Sequence, residues 1–265
     1  MKRNWSCLRV ILLAVVCATG TSGAATLQEA DAVYKNGRYE QALQLFFPLA
    51  EKGDPFAQYR LGEMYSLGLG VRQDSSRAIA WYGRAAAQGH LDAQNNIGVV
   101  YCDQGEHGMA LKWFLKAARA GNAAAQFNTG NMYYNGSGAT RDQAKAARWY
   151  LKAGERGDAR AQNNLGFMYA GGLGVAKDEA QAFFWYKKAA EQGNIGAQTA
   201  LGSFYENGRA VPHDNAQAYK WYLLASTQGD EKARRYMKSL GSRMSPQQIA
   251  EAKARATAVQ RPRTE

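Results

Sequence analysis

Histidine, cysteine and proline are all scarce in these 265 residues, and each shortage closes a route. The three histidines, His90, His107 and His213, have no Cys or His partner at metal-ligand spacing, so no zinc-type centre is expected. Nothing in the pattern calls for a cofactor, and no nucleophile motif supports a catalytic set. Two of the three cysteines, Cys7 and Cys17, fall in the first 24 residues. A chain cut after that segment keeps only Cys102, which rules out an internal disulfide and suits a half-buried small residue. Five prolines against 28 glycines fit helices that stop often and turn tightly. After residue 24 no apolar run approaches the roughly 20 residues needed to cross a bilayer.

The first 24 residues have the layout of an export signal. Lys2, Arg3 and Arg9 are followed by an apolar run from Val10 to Ala18 and by Ser22-Gly23-Ala24. Cleavage is expected after Ala24, giving a periplasmic or secreted protein. Val16 is bulky where a lipid-attachment signal needs a small residue before the cysteine, so Cys17 is not read as a lipoprotein site. With the three basic residues of the signal gone, the mature chain carries 30 basic and 22 acidic residues, a net charge of +8. Export weighs against a nucleic-acid partner. It leaves open an anionic envelope polymer beside a protein or peptide.

What the chain has in abundance is self-similarity. A-Q-x-x-x-G-x-x-Y occurs five times, ending at Tyr65, Tyr101, Tyr133, Tyr169 and Tyr205. Each copy is followed by W-[YF]-x-x-A-[AGS]-x-x-G, with tryptophans at 81, 113, 149, 185 and 221. The tryptophan spacings of 32, 36, 36 and 36 are those of stacked two-helix units. In the first helix Ala57, Leu61, Gly62 and Tyr65 share a face, with Asp54-Pro55 as cap and first turn. His90 holds the cap position of the second unit, where it is weaker. The second helix follows Asp74, Asp142, Asp178 or Asp214 and stops at Gly89, Gly121, Gly157, Gly193 and Gly229, all expected at positive φ. Between the helices lies G-x-G-V, as in Gly68-Leu69-Gly70-Val71. No strand precedes it, so it reads as a sharp reversal and not as a phosphate loop.

These two motifs recurring in phase resemble the Sel-one-like repeat family, within the tetratricopeptide-like helical repeats. The resemblance implies an all-α fold, a right-handed α-α superhelix of stacked antiparallel helix pairs. The expected division is a divergent helix pair over 25–54 and five repeats over about 55–89, 90–121, 122–157, 158–193 and 194–229. Capping helices over 231–260 and a flexible tail over 261–265 complete it. Pro48 is expected to kink or shorten the second helix of the opening pair. The second unit is four residues short and lacks G-x-G-V, so its inter-helix turn must differ. The cysteine pair of the disulfide-rich bacterial members that this chain otherwise resembles is missing.

In solenoids of this type the first helices line the concave side. The positions after A-Q are Tyr59-Arg60, Asn95-Asn96, Phe127-Asn128 and Asn163-Asn164, and the residues after the glycine include Asn131 and Phe167. These ten are the candidate binding residues. Asparagine is a poor mid-helix residue, so its recurrence there asks for a reason: either amides offered to an extended peptide or bonds between repeats. A second lead is the basic outer run of Lys112, Lys116, Arg148, Lys152, Lys187, Lys188 and Lys220. The expected function is an exported interaction module or scaffold, not an enzyme. The alternative is a β-lactam-binding or hydrolysing protein like the disulfide-rich members the chain resembles.

Overall fold

A computed structural model describes residues 26–260 of the chain. The expected signal, its cleavage point at Ala24 and the tail over 261–265 lie outside these residues. The described chain is a run of helices with no strand among them. An opening pair, α1 (Leu27–Lys35) and α2 (Tyr39–Glu51), precedes α3 (Pro55–Leu67) and α4 (Ser75–Ala87). Then come α5 (Leu91–Asp103), α6 (His107–Arg119), α7 (Ala123–Asn135), α8 (Gln143–Glu155), α9 (Ala159–Gly171) and α10 (Glu179–Glu191). The series ends with α11 (Ile195–Asn207), α12 (Asn215–Thr227), α13 (Glu231–Gly241) and α14 (Pro246–Gln260). From α1 to α13 each helix packs on its neighbours in the chain, which makes a solenoid, and α14 folds back on α12. The first helices of neighbouring units also meet, α3 with α5 and α9 with α11, so they form the inner side of the curve.

The helix ends follow from single residues. Asp54 Oδ1 accepts from the Ala57 N–H at 2.8 Å, and Asn122, Asp158, Asn194 and Asp230 repeat the bond at 2.8–3.1 Å. His90 caps through Nδ1 at a longer 3.3 Å. The five stop glycines have φ between 86° and 96°, as expected. Pro48 does not shorten α2, which keeps 13 residues like its counterparts. It sits near the C-terminal end, where only one carbonyl of the turn before it loses its donor.

The G-x-G loop does more than reverse the chain. Its first glycine ends the helix in the left-handed conformation, as at Gly68 (φ 72°). Its second lies flat against the first turn of the preceding unit's second helix. A Cβ on Gly70 would stand 2.6 Å from Tyr39 and Glu40 backbone atoms, one on Gly138 2.3 Å from the His107 carbonyl oxygen, and one on Gly174 2.3 Å from the Gln143 carbonyl carbon. The short second unit has no such contact, since Gly105 faces open space.

The core is built of buried clusters that cross unit boundaries. Ala42 and Phe46 of α2, Leu61 of α3, Tyr82 of α4 and Ile97 of α5 belong to one buried cluster. One buried ring or branched side chain contributes about 2 kcal/mol, but only when both neighbours are present to cover it. At the far end α13 and α14 both pack on α12, burying Ala233, Leu240 and Ala252. Ser245 and Gln248 form a reciprocal cap at the start of α14.

Candidate binding groove

The groove floor is set by a glycine and a tyrosine. In each A-Q-x-x-x-G helix the glycine leaves room for the ring of the following helix. A Cβ on Gly62, Gly130, Gly166 or Gly202 would fall 2.4–2.7 Å from the rings of Tyr82, Tyr150, Tyr186 and Tyr222. The rings are buried, while their hydroxyls reach the inner side. Tyr150 donates to Asn131 Oδ1 at 2.7 Å, Tyr222 donates to Glu206 Oε2 at 2.8 Å, and Tyr82 accepts from Asn96 Nδ2 at 3.3 Å. Burial pushes the Tyr150 and Tyr186 phenols up to about 12, so both are neutral donors at ordinary pH. The second unit has Phe114 at this place and no hydroxyl.

The glutamine of A-Q turns the other way and ties units together. Gln58, Gln94, Gln126, Gln162 and Gln198 are buried and donate to Ala50, Ala86, Ala118, Gly154 and Ala190 carbonyls at 2.9–3.3 Å. In three units the residue capping the second helix closes the tie. Gln88, Gln192 and Gln228 donate to the Oε1 of Gln58, Gln162 and Gln198. The second and third units carry Ala120 and Arg156 at that cap, and the buried Oε1 atoms of Gln94 and Gln126 have no partner.

The ten candidate residues separate into two sets. Tyr59, Asn95, Phe127 and Asn163 point along the array. Tyr59 stacks on the His90 ring at 4.6 Å, Asn95 is buried and accepts from Asn128 Nδ2 at 2.9 Å, and Phe127 lies under the Arg160 guanidinium at 4.2 Å. Asn163 bonds Asn164 and faces Gly196. The other set faces the groove. Arg60 is held by Asp31 and Glu63 at 2.9 and 2.8 Å and lies against the rings of Tyr34 and Phe56. Asn96 and Asn128 flank Asn95 in one chain of amides ending at Tyr82. Asn131, Asn164 and Phe167 line a cavity of about 210 Å³ with Tyr134, Asn135, Tyr150 and Met168. The last four were absent from the sequence-derived set, although Tyr134 and Asn135 stand one turn after Asn131 on the same face.

Phe167 is half exposed at the rim of that cavity. No group of three His, Cys, Asp or Glu side chains among the described residues could hold a metal ion. No described helix is long and apolar enough to cross a membrane. Cys102 is half-buried and free, with its thiol pushed up by burial.

A family model described as Sel1 repeat matches residues 55–90, 91–122, 123–158, 159–194 and 195–230. The chain belongs to the Sel1 repeat family. The first repeat starts at residue 55 as the sequence motifs suggest, and every later repeat boundary falls one residue further on. Sel1 repeats generally serve protein–protein interaction. Among solved structures, a Sel1 repeat protein from Oxalobacter formigenes is 29% identical, with a TM-score of 0.72 and coverage of 92% of this chain and 100% of that one. A protective antigen of uropathogenic Escherichia coli displaying an SLR fold is 33% identical, with a TM-score of 0.79 over 88% of this chain. The chain spans about half of that antigen, 52%. A negative regulator of exopolysaccharide production from Rhizobium leguminosarum bv. viciae is 41% identical over 56 residues, 21% of each chain.

Proposed function

We propose that this Sel1 repeat protein is an exported scaffold that holds an extended segment of a partner protein in the groove of its first helices. Support comes from the cavity between α7 and α9, which combines the Phe167 and Tyr134 rings with the amides of Asn131, Asn135 and Asn164. That combination suits one apolar side chain of a peptide, with the amides meeting its backbone on either side. The Asn96–Asn95–Asn128 chain is spent largely on the array itself, so affinity is concentrated nearer Phe167. The export segment over residues 1–24 supports a place in the cell envelope or outside it.

The test begins with the mature chain carrying a photo-crosslinker at position 135, used to recover the partner from an envelope fraction. Titration calorimetry then compares wild type with Phe167→Ser and with Asn131→Ala/Asn164→Ala. Each should weaken binding about tenfold or more, since uncovering an aromatic contact or losing two hydrogen bonds is worth about 1.5–3 kcal/mol. A partner held with unchanged affinity by both variants would place binding elsewhere.

A further inference from the structure

Each tryptophan of the second helices lies close to a cation. In α4, α6, α8 and α10 it belongs to the residue three positions later: Arg84, Lys116, Lys152 and Lys188 lie 4.4, 5.0, 4.7 and 5.4 Å from the rings of Trp81, Trp113, Trp149 and Trp185. Equivalent positions in stacked units fall in line, so the four charges form a row along the outer face, one per unit. Lys112 and Arg148 stand one turn earlier on α6 and α8 and widen the row at its middle.

Two further observations separate this face from ordinary surface charge. First, the helices are polarised. The five second helices carry eleven Lys or Arg against three Glu, while the five first helices carry two Arg against four acidic residues. Second, Lys112, Lys116, Arg148, Lys152 and Lys188 are exposed and take part in no ion pair among the described residues. Arg84, at the head of the row, holds Glu51, as Arg60, Arg160, Arg209 and Arg243 each hold a carboxylate elsewhere.

The geometry points to a docking surface for a linear anionic polysaccharide of the polyuronate kind along the outer face of α4, α6, α8 and α10. One cation per unit matches a chain with regularly repeated carboxylates. A lysine already packed on an indole loses less freedom on binding than a free one. Trp113 and Trp149, at the middle of the row, are half-exposed, whereas Trp81 and Trp185 are buried. Their uncovered edges give a sugar ring an apolar face to rest on. A bilayer fits less well, because the exposed large apolar side chains of these four helices are only Met109 on α6 and Phe184 on α10, with none on α4 or α8.

Polygalacturonate is the probe, with binding to the mature protein measured by biolayer interferometry at 20 and 300 mM salt. Wild type should bind at low salt and lose most of that affinity at high salt. Lys116→Glu/Lys152→Glu should bind at least tenfold more weakly. Lys238→Glu/Lys253→Glu, which changes the net charge equally at exposed lysines off the row, should stay within twofold. Lys116→Gln/Lys152→Gln, also expected to weaken binding, replaces the first pair if circular dichroism shows it misfolded. Phe167→Ser should bind the polymer normally, which keeps this result independent of the groove. No binding by wild type, equal losses in the two charge-reversed proteins, or binding to phosphatidylglycerol vesicles but not to the polymer would each overturn the proposal.

Discussion

The unit formed by α9 and α10 is tied to its neighbours twice, and the unit formed by α5 and α6 lacks both of those closures. Gly174 rests on the first turn of α8, and Gln192 completes the Gln162 tie to the Gly154 carbonyl. In the shorter unit a Cβ on Gly105 would meet nothing within 4 Å, and the Gln94 Oε1 is buried without a donor. The α7–α8 unit is intermediate, with Gly138 braced and Gln126 left open. All three keep helices of 13 residues, although α5 is capped only by His90 and α6 has no side-chain cap bond. Helix-pair geometry thus survives on core packing even where caps are weak, and the closures govern how firmly one pair is joined to the next. Local opening should start where they are missing.

The largest test compares two glycines that share a positive φ. Gly174→Ala should cost about 3 kcal/mol, from left-handed strain of about 1–2 kcal/mol plus overpacking of about 1–3 kcal/mol. Gly105→Ala should cost only the strain, about 1 kcal/mol. Urea denaturation of both proteins measures the difference, and equal losses would mean the loop contact does not brace the joint. A gain should follow Ala120→Gln, which gives the Gln94 Oε1 its donor. About 1 kcal/mol of added stability is expected, and an unchanged urea midpoint would show that the closing glutamine is not what matters. The smallest effect belongs to Ala210, which holds φ 57° without being glycine. Ala210→Gly relieves that strain but loosens the unfolded chain, for a net gain of about 0.5 kcal/mol. A loss of stability there would mean that the alanine methyl makes a contact worth more than the strain.

Local features were legible in the sequence. Caps, stop glycines and the phase of the two helices depend on a few adjacent residues, and the motifs carried them. Contacts across units were harder to see. The glycines of G-x-G-V read as a reversal because their contact lies about 31 residues earlier, where no pattern marks it. The paired amides of A-Q-N-N looked equivalent, yet Asn95 is used between units and Asn164 faces a cavity, a split decided by the angle between stacked helices. Tyr150 was legible only as core. Its hydroxyl reaches the groove because Gly130, on another helix, lets the ring come close.

Anyone trimming this protein for crystallisation would be tempted to start at Asp54, just before the five matched stretches begin. Gly70 argues against that cut. The loop it belongs to leans on Tyr39 and Glu40 of α2, and Gln58 reaches back to the Ala50 carbonyl. A protein starting at residue 54 would expose both, together with the side of Leu61 that Phe46 helps to cover. Starting at Thr26 keeps the terminal unit dressed, and the shortened chain should then be no stickier than its parent.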